Sequence, residues 1–144
     1  MIKRVFLDSD VILDVATGRE PFVKGSRAVL ASIENGQALG FISSTSVTNI
    51  YYVLRKISNG TKARAFIEQV LKFLVVLPVT HEEIVQALRS DFPDFEDAVQ
   101  HQCAFGNACE FIVTRNVEDY KNSKLLVYTP KEFVALLGVT HEAP

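Results

Sequence analysis

The sequence has no long apolar run. Charge, glycine or proline breaks each hydrophobic stretch within about ten residues, far short of a membrane span. Only two cysteines occur, Cys103 and Cys109. That excludes a disulfide framework, and their spacing, with no second pair to complete it, excludes a zinc site. No apolar stretch near Met1 is long enough for a signal peptide, so free thiols in a reducing cytoplasm are expected. A large charge excess is missing too, since 15 Lys and Arg face 17 Asp and Glu for a net charge of −2. A protein that grips nucleic acid by bulk electrostatics is therefore excluded. An enzyme that meets nucleic acid through bound cations is not, because cations reverse the local field. Repeats, linkers and low-complexity tracts are absent. What remains is 144 residues, 48% hydrophobic and 22% charged, the composition and length of one globular domain over residues 1–144.

Short β-branched and aromatic runs alternate with helical periodicity along the chain. Strands are expected at 2–8, 39–42, 73–79, 110–114 and 125–128. Between them, helices are expected at 11–16 with Asp10 as cap, and at 22–34. The next helix is capped by Ser44, Thr45 or Ser46, and others cover 61–71 and 81–89, the last capped by Thr80. A helix from Pro93-Asp94 to about Asn107 turns Ala98, Cys103, Ala104 and Phe105 inward. A final helix starts at Pro130 and closes at Gly138. This alternation predicts a three-layer α/β/α sandwich around a mainly parallel sheet of about five strands.

In such sheets the working groups gather beyond the carboxyl ends of the strands. Those positions hold Asp8-Ser9-Asp10, Ser43-Ser44-Thr45 and Thr114-Arg115-Asn116, with Asp119 following. A carboxylate such as Asp8 at the foot of a crevice is costly unless paired or bound to a cation. Asp94 and Asp97 lie three apart at a helix start and share a face. Asp94 suits the N-cap position, whereas Asp97 is placed to face the crevice. Several carboxylates crowded together, with few histidines, suit Mg²⁺ or Mn²⁺ rather than zinc.

These segments together resemble the PIN-domain nucleases, in their bacterial VapC-like toxin branch. The resemblance runs through FLDSDVILD, ISSTSVTNIYYVLRK, DFEDAVQHQCA, FIVTRNVEDY and TPKEF, and covers nearly the whole chain. It implies a metal-dependent ribonuclease with Mg²⁺ or Mn²⁺ as cofactor, RNA as substrate, a small antitoxin protein as partner, and a homodimer. Asp8 matches the first metal-binding Asp of the family and Asp97 the Asp of the central helix. Asp94 and Asp119 are further acidic candidates for metal. Thr114 matches the Ser or Thr that ends the fourth strand. Asn116 stands where many members carry Asp, and Asn49 where most carry Glu. An amide oxygen brings no charge, so weaker metal binding is expected of this site. Ser9 and Arg115 are the candidate substrate contacts.

Two other readings stay open. Leu7-Asp8-Ser9-Asp10-Val11 also resembles the nucleophile motif of haloacid dehalogenase-like phosphatases, with Asp8 as nucleophile and Asp10 as general acid. The lysine and strand-end acidic pair of that family have no counterpart here. The amides at 49 and 116 instead suit a PIN fold retained as an RNA- or protein-binding module. Outside these motifs, His101 is expected on the surface and Cys103 and Cys109 in the core. Arg55, Lys56, Lys62 and Arg64 are expected to form a solvated basic face, beside packing or dimer contacts at Tyr51 and Tyr52.

Overall fold

The structure, a computed structural model, describes the backbone of residues 1–142 and side chains to residue 138. Five strands, β1 (Lys3–Leu7), β2 (Ala38–Ser43), β3 (Leu74–Leu77), β4 (Phe111–Val113) and β5 (Leu126–Tyr128), make one sheet. Their order is β3-β2-β1-β4-β5 and every pair is parallel. The helices are α1 (Ser9–Thr17), α2 (Val23–Glu34), α3 (Ser44–Ile57), α4 (Gly60–Val70), α5 (His81–Leu88), α6 (Phe95–Gly106) and α7 (Pro130–Glu142). A 3₁₀ turn spans Val117–Tyr120.

Alternation along the strands divides the core into two layers. Val5, Leu7, Ile42 and Val113 pack with Val11, Val29, Ile50, Ala63 and Phe133, from α1, α2, α3, α4 and α7. Phe6, Phe41 and Ile112 point the other way, onto Cys103, Ala104 and Tyr120. Both faces of the sheet are covered, so the inner parts of its central strands, Val5 to Leu7 and Phe111 to Val113, read as apolar runs. Gly40 lets α2 approach β2 closely, since a Cβ there would lie 2.6 Å from Ile33 Cδ1 and 2.7 Å from Leu74 Cδ2. Among the described residues no helix is long and apolar enough to cross a membrane.

Several element boundaries differ from the sequence reading. α1 starts at Ser9 and its cap is Asp8, whose side chain accepts from the Asp10 backbone N–H. α3 is capped by Ser43, whose Oγ accepts from Ser46 N at 3.1 Å. α4 starts at Gly60 behind the cap Asn59. In all three, the last extended residue of the preceding segment supplies the cap, and hydrophobic periodicity cannot resolve that one- or two-residue difference. Phe105 is 46% exposed rather than inward, because it sits near the end of α6 beyond the covering layer. α7 continues through Gly138 to Glu142. Gly138 is not among the glycines with left-handed φ, Gly18 and Gly36, so it makes no helix-ending turn.

β1 is the topological switch. It pairs with β2 on one side and β4 on the other, with Leu7 opposite Val113. The crevice beyond this pair therefore receives Asp8 from one strand and Thr114 from the next.

Candidate active site

Asp8 both ends β1 and caps α1, which pins its backbone, and Asp8 N donates to Val113 O at 3.0 Å. Its side chain is only 5% exposed and is held by hydrogen bonds, as a buried carboxylate must be. Oδ1 accepts from Asp10 N and Gln100 Nε2, both at 3.2 Å, and from Ser9 Oγ at 3.4 Å. Oδ2 accepts from Thr114 Oγ1 and from the Tyr120 hydroxyl, both at 3.0 Å.

The start of α6 brings the second carboxylate. Asp94 caps the helix and accepts from Asp97 N at 2.9 Å. That bond sets Asp97 on the first turn, where its Oδ1 stands 3.4 Å from the Tyr120 hydroxyl. Asp8 and Asp97, distant in sequence, thus meet at one phenol. Thr114 is fully buried beneath them, and its hydroxyl also lies 3.3 Å from Asp10 Oδ2. Asn116 donates from Nδ2 to the same Asp10 oxygen at 3.3 Å.

A cleft of about 250 Å³ opens over these groups. Asp8, Ser9, Asn49, Asp94, Asp97, Arg115, Asn116 and Asp119 all line it, joined by Asp10, Leu13 and Glu96. Of the candidate site residues only Thr114 lies outside the lining, held against Asp8 from below. Asp10 is a wall of the cleft rather than a helix cap. Arg115 turns partly away: its Nε is 3.1 Å from Asp14 Oδ2 and 3.9 Å from Asp10 Oδ2, with the guanidinium over the Phe22 ring. Ser9 Oγ donates toward Glu96 Oε1 at 3.3 Å.

Sequence reasoning missed Gln100, Tyr120, Glu96 and Asp14. Gln100 stands three residues after Asp97 on the same helical face and Tyr120 directly follows Asp119, but the contact that buries them joins α6 to the 3₁₀ turn, which no local pattern signals. His101 was expected on the surface and is buried instead. The chain at Lys124 folds over it, Lys124 N donates to its Nε2 at 3.1 Å, and Phe92 and Phe105 flank the ring. Burial first, and then the Lys124 charge, pushes its pKa down to about 4. Cys103 and Cys109 are free and buried, as expected. Arg55, Lys56, Lys62 and Arg64 are exposed and do not line the cleft. Arg55 and Arg64 lie over the rings of Tyr52 and Tyr51.

The cleft is strongly one-sided in charge, with six carboxylates against one guanidinium among its lining residues. Asp97 is pushed up to about 7, chiefly by burial and then by the charges of Asp8, Asp94, Asp119 and Glu96. Asp10 is likewise pushed up to about 7 by burial and by Asp8, with Arg115 opposing. Burial, followed by the charges of Asp8 and Asp97, holds the Tyr120 phenol well above its ordinary range, so it stays a donor. Among the described residues the buried Oδ1 of Asp10 has no hydrogen-bond partner. This oxygen-rich, undercompensated donor set fits a hard divalent cation. Among the described residues no three acidic groups converge as a ready ligand cage.

Known proteins resemble this chain in sequence and in fold. The PIN domain family model matches residues 4–118. Ribonuclease VapC1 of Aquifex aeolicus (strain VF5) is 31% identical over 137 residues, covering 91% of this chain and 93% of the relative. Among solved structures, VapBC2 of Rickettsia felis, bound to a DNA fragment from its promoter, aligns with a TM-score of 0.68 at 14% identity. That alignment covers 90% of this chain and 98% of the other. VapC20 of Mycobacterium tuberculosis, a toxin that cleaves the sarcin-ricin loop, aligns with a TM-score of 0.62 at 16% identity over 75% of this chain and 86% of its own. At such identities the structures show a shared fold. The family match and the 31% identical relative show more: the chain belongs to the PIN domain family.

Proposed function

We propose that residues 1–144 form one nuclease domain that hydrolyses RNA phosphodiester bonds with Mg²⁺ or Mn²⁺, as the toxin of a toxin–antitoxin pair. The observation that carries this reading is the meeting of Asp8 and Asp97 at the Tyr120 hydroxyl, beneath a cleft of six carboxylates. Asp8 and Asp97 would hold the ion, with Asp94 and Asp119 as further acidic ligands at the rim. When bound, the cation supplies the positive charge the cleft lacks and acidifies water for attack on phosphorus.

The chain's own residues do the rest. Thr114 fixes one oxygen of Asp8, and Asn116 restrains Asp10. Asn49 offers an amide from α3 to the cleft wall, able to orient water or a phosphate oxygen without adding charge. Ser9 and Arg115 line the cleft as the proposed substrate contacts, and a phosphate at Arg115 would compete with Asp14 for the guanidinium.

The name of the Aquifex relative supports the ribonuclease activity. A toxin–antitoxin complex from Klebsiella pneumoniae, with the same fold at a TM-score of 0.64, supports a small antitoxin as partner. A homodimer is part of the same proposal, on the family resemblance alone. Family membership does not favour the haloacid dehalogenase-like phosphatase. The binding-module reading rests on Asn49 and Asn116 alone, against the retained carboxylates. Incubation of single-stranded and structured RNA with each metal separates these readings. Metal-dependent cleavage supports the nuclease, whereas intact RNA with no calorimetric metal binding supports the module.

A further inference from the structure

We infer that Gln100 is a positioning residue that, with Tyr120, fixes the Asp8 carboxylate in one orientation toward Asp97 before any cation arrives. The inference rests on the metal-dependent reading above and extends it to residues with no assigned role.

Gln100 is 1% exposed and its amide is fully used. Oε1 accepts from Ser9 N and from Ser46 Oγ, both at 3.1 Å. Nε2 donates to Asp8 Oδ1 at 3.2 Å and to the Tyr120 hydroxyl at 3.1 Å. The Ser9 backbone N–H can only donate, so Oε1 must face it and Nε2 must face Asp8. The amide therefore has one orientation. Through it α6, which carries Asp97, is tied to the β1–α1 junction, to α3 and to the 3₁₀ turn.

Asp8 has about four lone-pair positions, and five donors crowd them. A cation at Asp8 would therefore compete with these donors. The three hydroxyls among these donors each have a second acceptor within 3.4 Å: Glu96 for Ser9, Asp10 for Thr114 and Asp97 for Tyr120. Rotation of an O–H releases a lone pair without leaving the hydroxyl unpaired. The Gln100 N–H has no such freedom, because its sister N–H and its oxygen are already bound. Loading can strip the hydroxyls from Asp8 while Gln100 still holds the carboxylate in place. Tyr120 is in turn held by Phe92 against its ring edge, at 5.8 Å between centroids.

The test is calorimetric titration of the full chain with Mn²⁺ at pH 8, comparing wild type, Gln100→Met and Tyr120→Phe. Gln100→Met keeps the side chain's length and deletes its amide; Tyr120→Phe keeps the ring and deletes the hydroxyl that accepts from Gln100 and donates to Asp8. Loss of an outer partner of a ligand weakens metal binding about 10-fold, and that rise in Kd is expected for Gln100→Met. A smaller rise, about 3-fold, is expected for Tyr120→Phe, which carries the test alone if Gln100→Met does not fold. Saturating Mn²⁺ should restore RNA cleavage in either folded variant. A lower melting temperature with unchanged Mn²⁺ affinity would show a purely structural network and overturn the inference. Absence of Mn²⁺ binding in the wild type would instead overturn the metal-dependent reading, and this inference with it.

Discussion

Arg115 Nε lies 3.1 Å from Asp14 Oδ2, and Asp14 is almost completely buried at the centre of α1. Burial pushes the Asp14 pKa up, while Arg115 and then Arg19 pull it down. The arginine is thus a structural counter-ion before it is anything else. Arg115→Ala leaves a buried carboxylate unpaired and should destabilise the chain by about 3 kcal/mol. Adding Asp14→Asn should recover much of that loss. Urea unfolding of the single and double variants measures both, and an unchanged midpoint in Arg115→Ala would mean the guanidinium serves substrate alone.

Crowded carboxylates make the metal-free protein sensitive to pH. Asp97 is raised from 3.8 to about 7, so between those values the folded chain binds more protons than the unfolded chain. Through this group, stability falls as pH rises from about 4 to about 7 and stays low above that. Asp97→Asn should therefore raise the melting temperature of the metal-free protein at pH 8 and give no gain at pH 4. Solvent screening at this half-buried group limits the gain to about 1 kcal/mol. Thermal unfolding in chelator at the two pH values checks it.

His101 works in the opposite direction. Its pKa is lowered from 6.5 to about 4, so its contribution to stability is present above 6.5 and is lost as pH falls toward 4. Proton NMR should show the His101 ring still neutral at pH 5. A ring that titrates near 6.5 would place it in solvent.

Much of this architecture was legible in the chain. The five strand segments, their parallel arrangement and the gathering of Asp8, Thr114 and Asn116 follow from short apolar runs ending in polar clusters. The cap positions were less legible, because a serine or aspartate at a strand end can serve the strand, the helix or both. His101, Gln100 and Tyr120 were hidden for another reason. Their burial depends on the 3₁₀ turn and the Lys124 loop folding across α6, a long-range contact with no local pattern. Polar residues on a helical face read as solvated until the covering segment is known.

Asn49 lines the cleft from α3, at the position where the family resemblance expects Glu. Asn49→Glu adds a seventh carboxylate to the cleft lining. It should tighten Mn²⁺ binding several-fold, on the order of one ligand's charge in a half-buried site. The same change should lower metal-free stability at pH 8 by like-charge repulsion. Calorimetry with Mn²⁺ and melting in chelator read the two effects separately, and equal affinity in both proteins would show that Asn49 lies outside the ion's reach.

In the proposed function Asp8 and Asp97 jointly hold the catalytic cation. The most direct test of that role is RNA cleavage in Mn²⁺ by the wild type, Asp8→Ala and Asp97→Ala, each checked for folding by circular dichroism. The account predicts cleavage that stops in chelator and falls about 100-fold or more in each folded variant. Cleavage that survives chelation, or that persists at the wild-type rate in either variant, would contradict it.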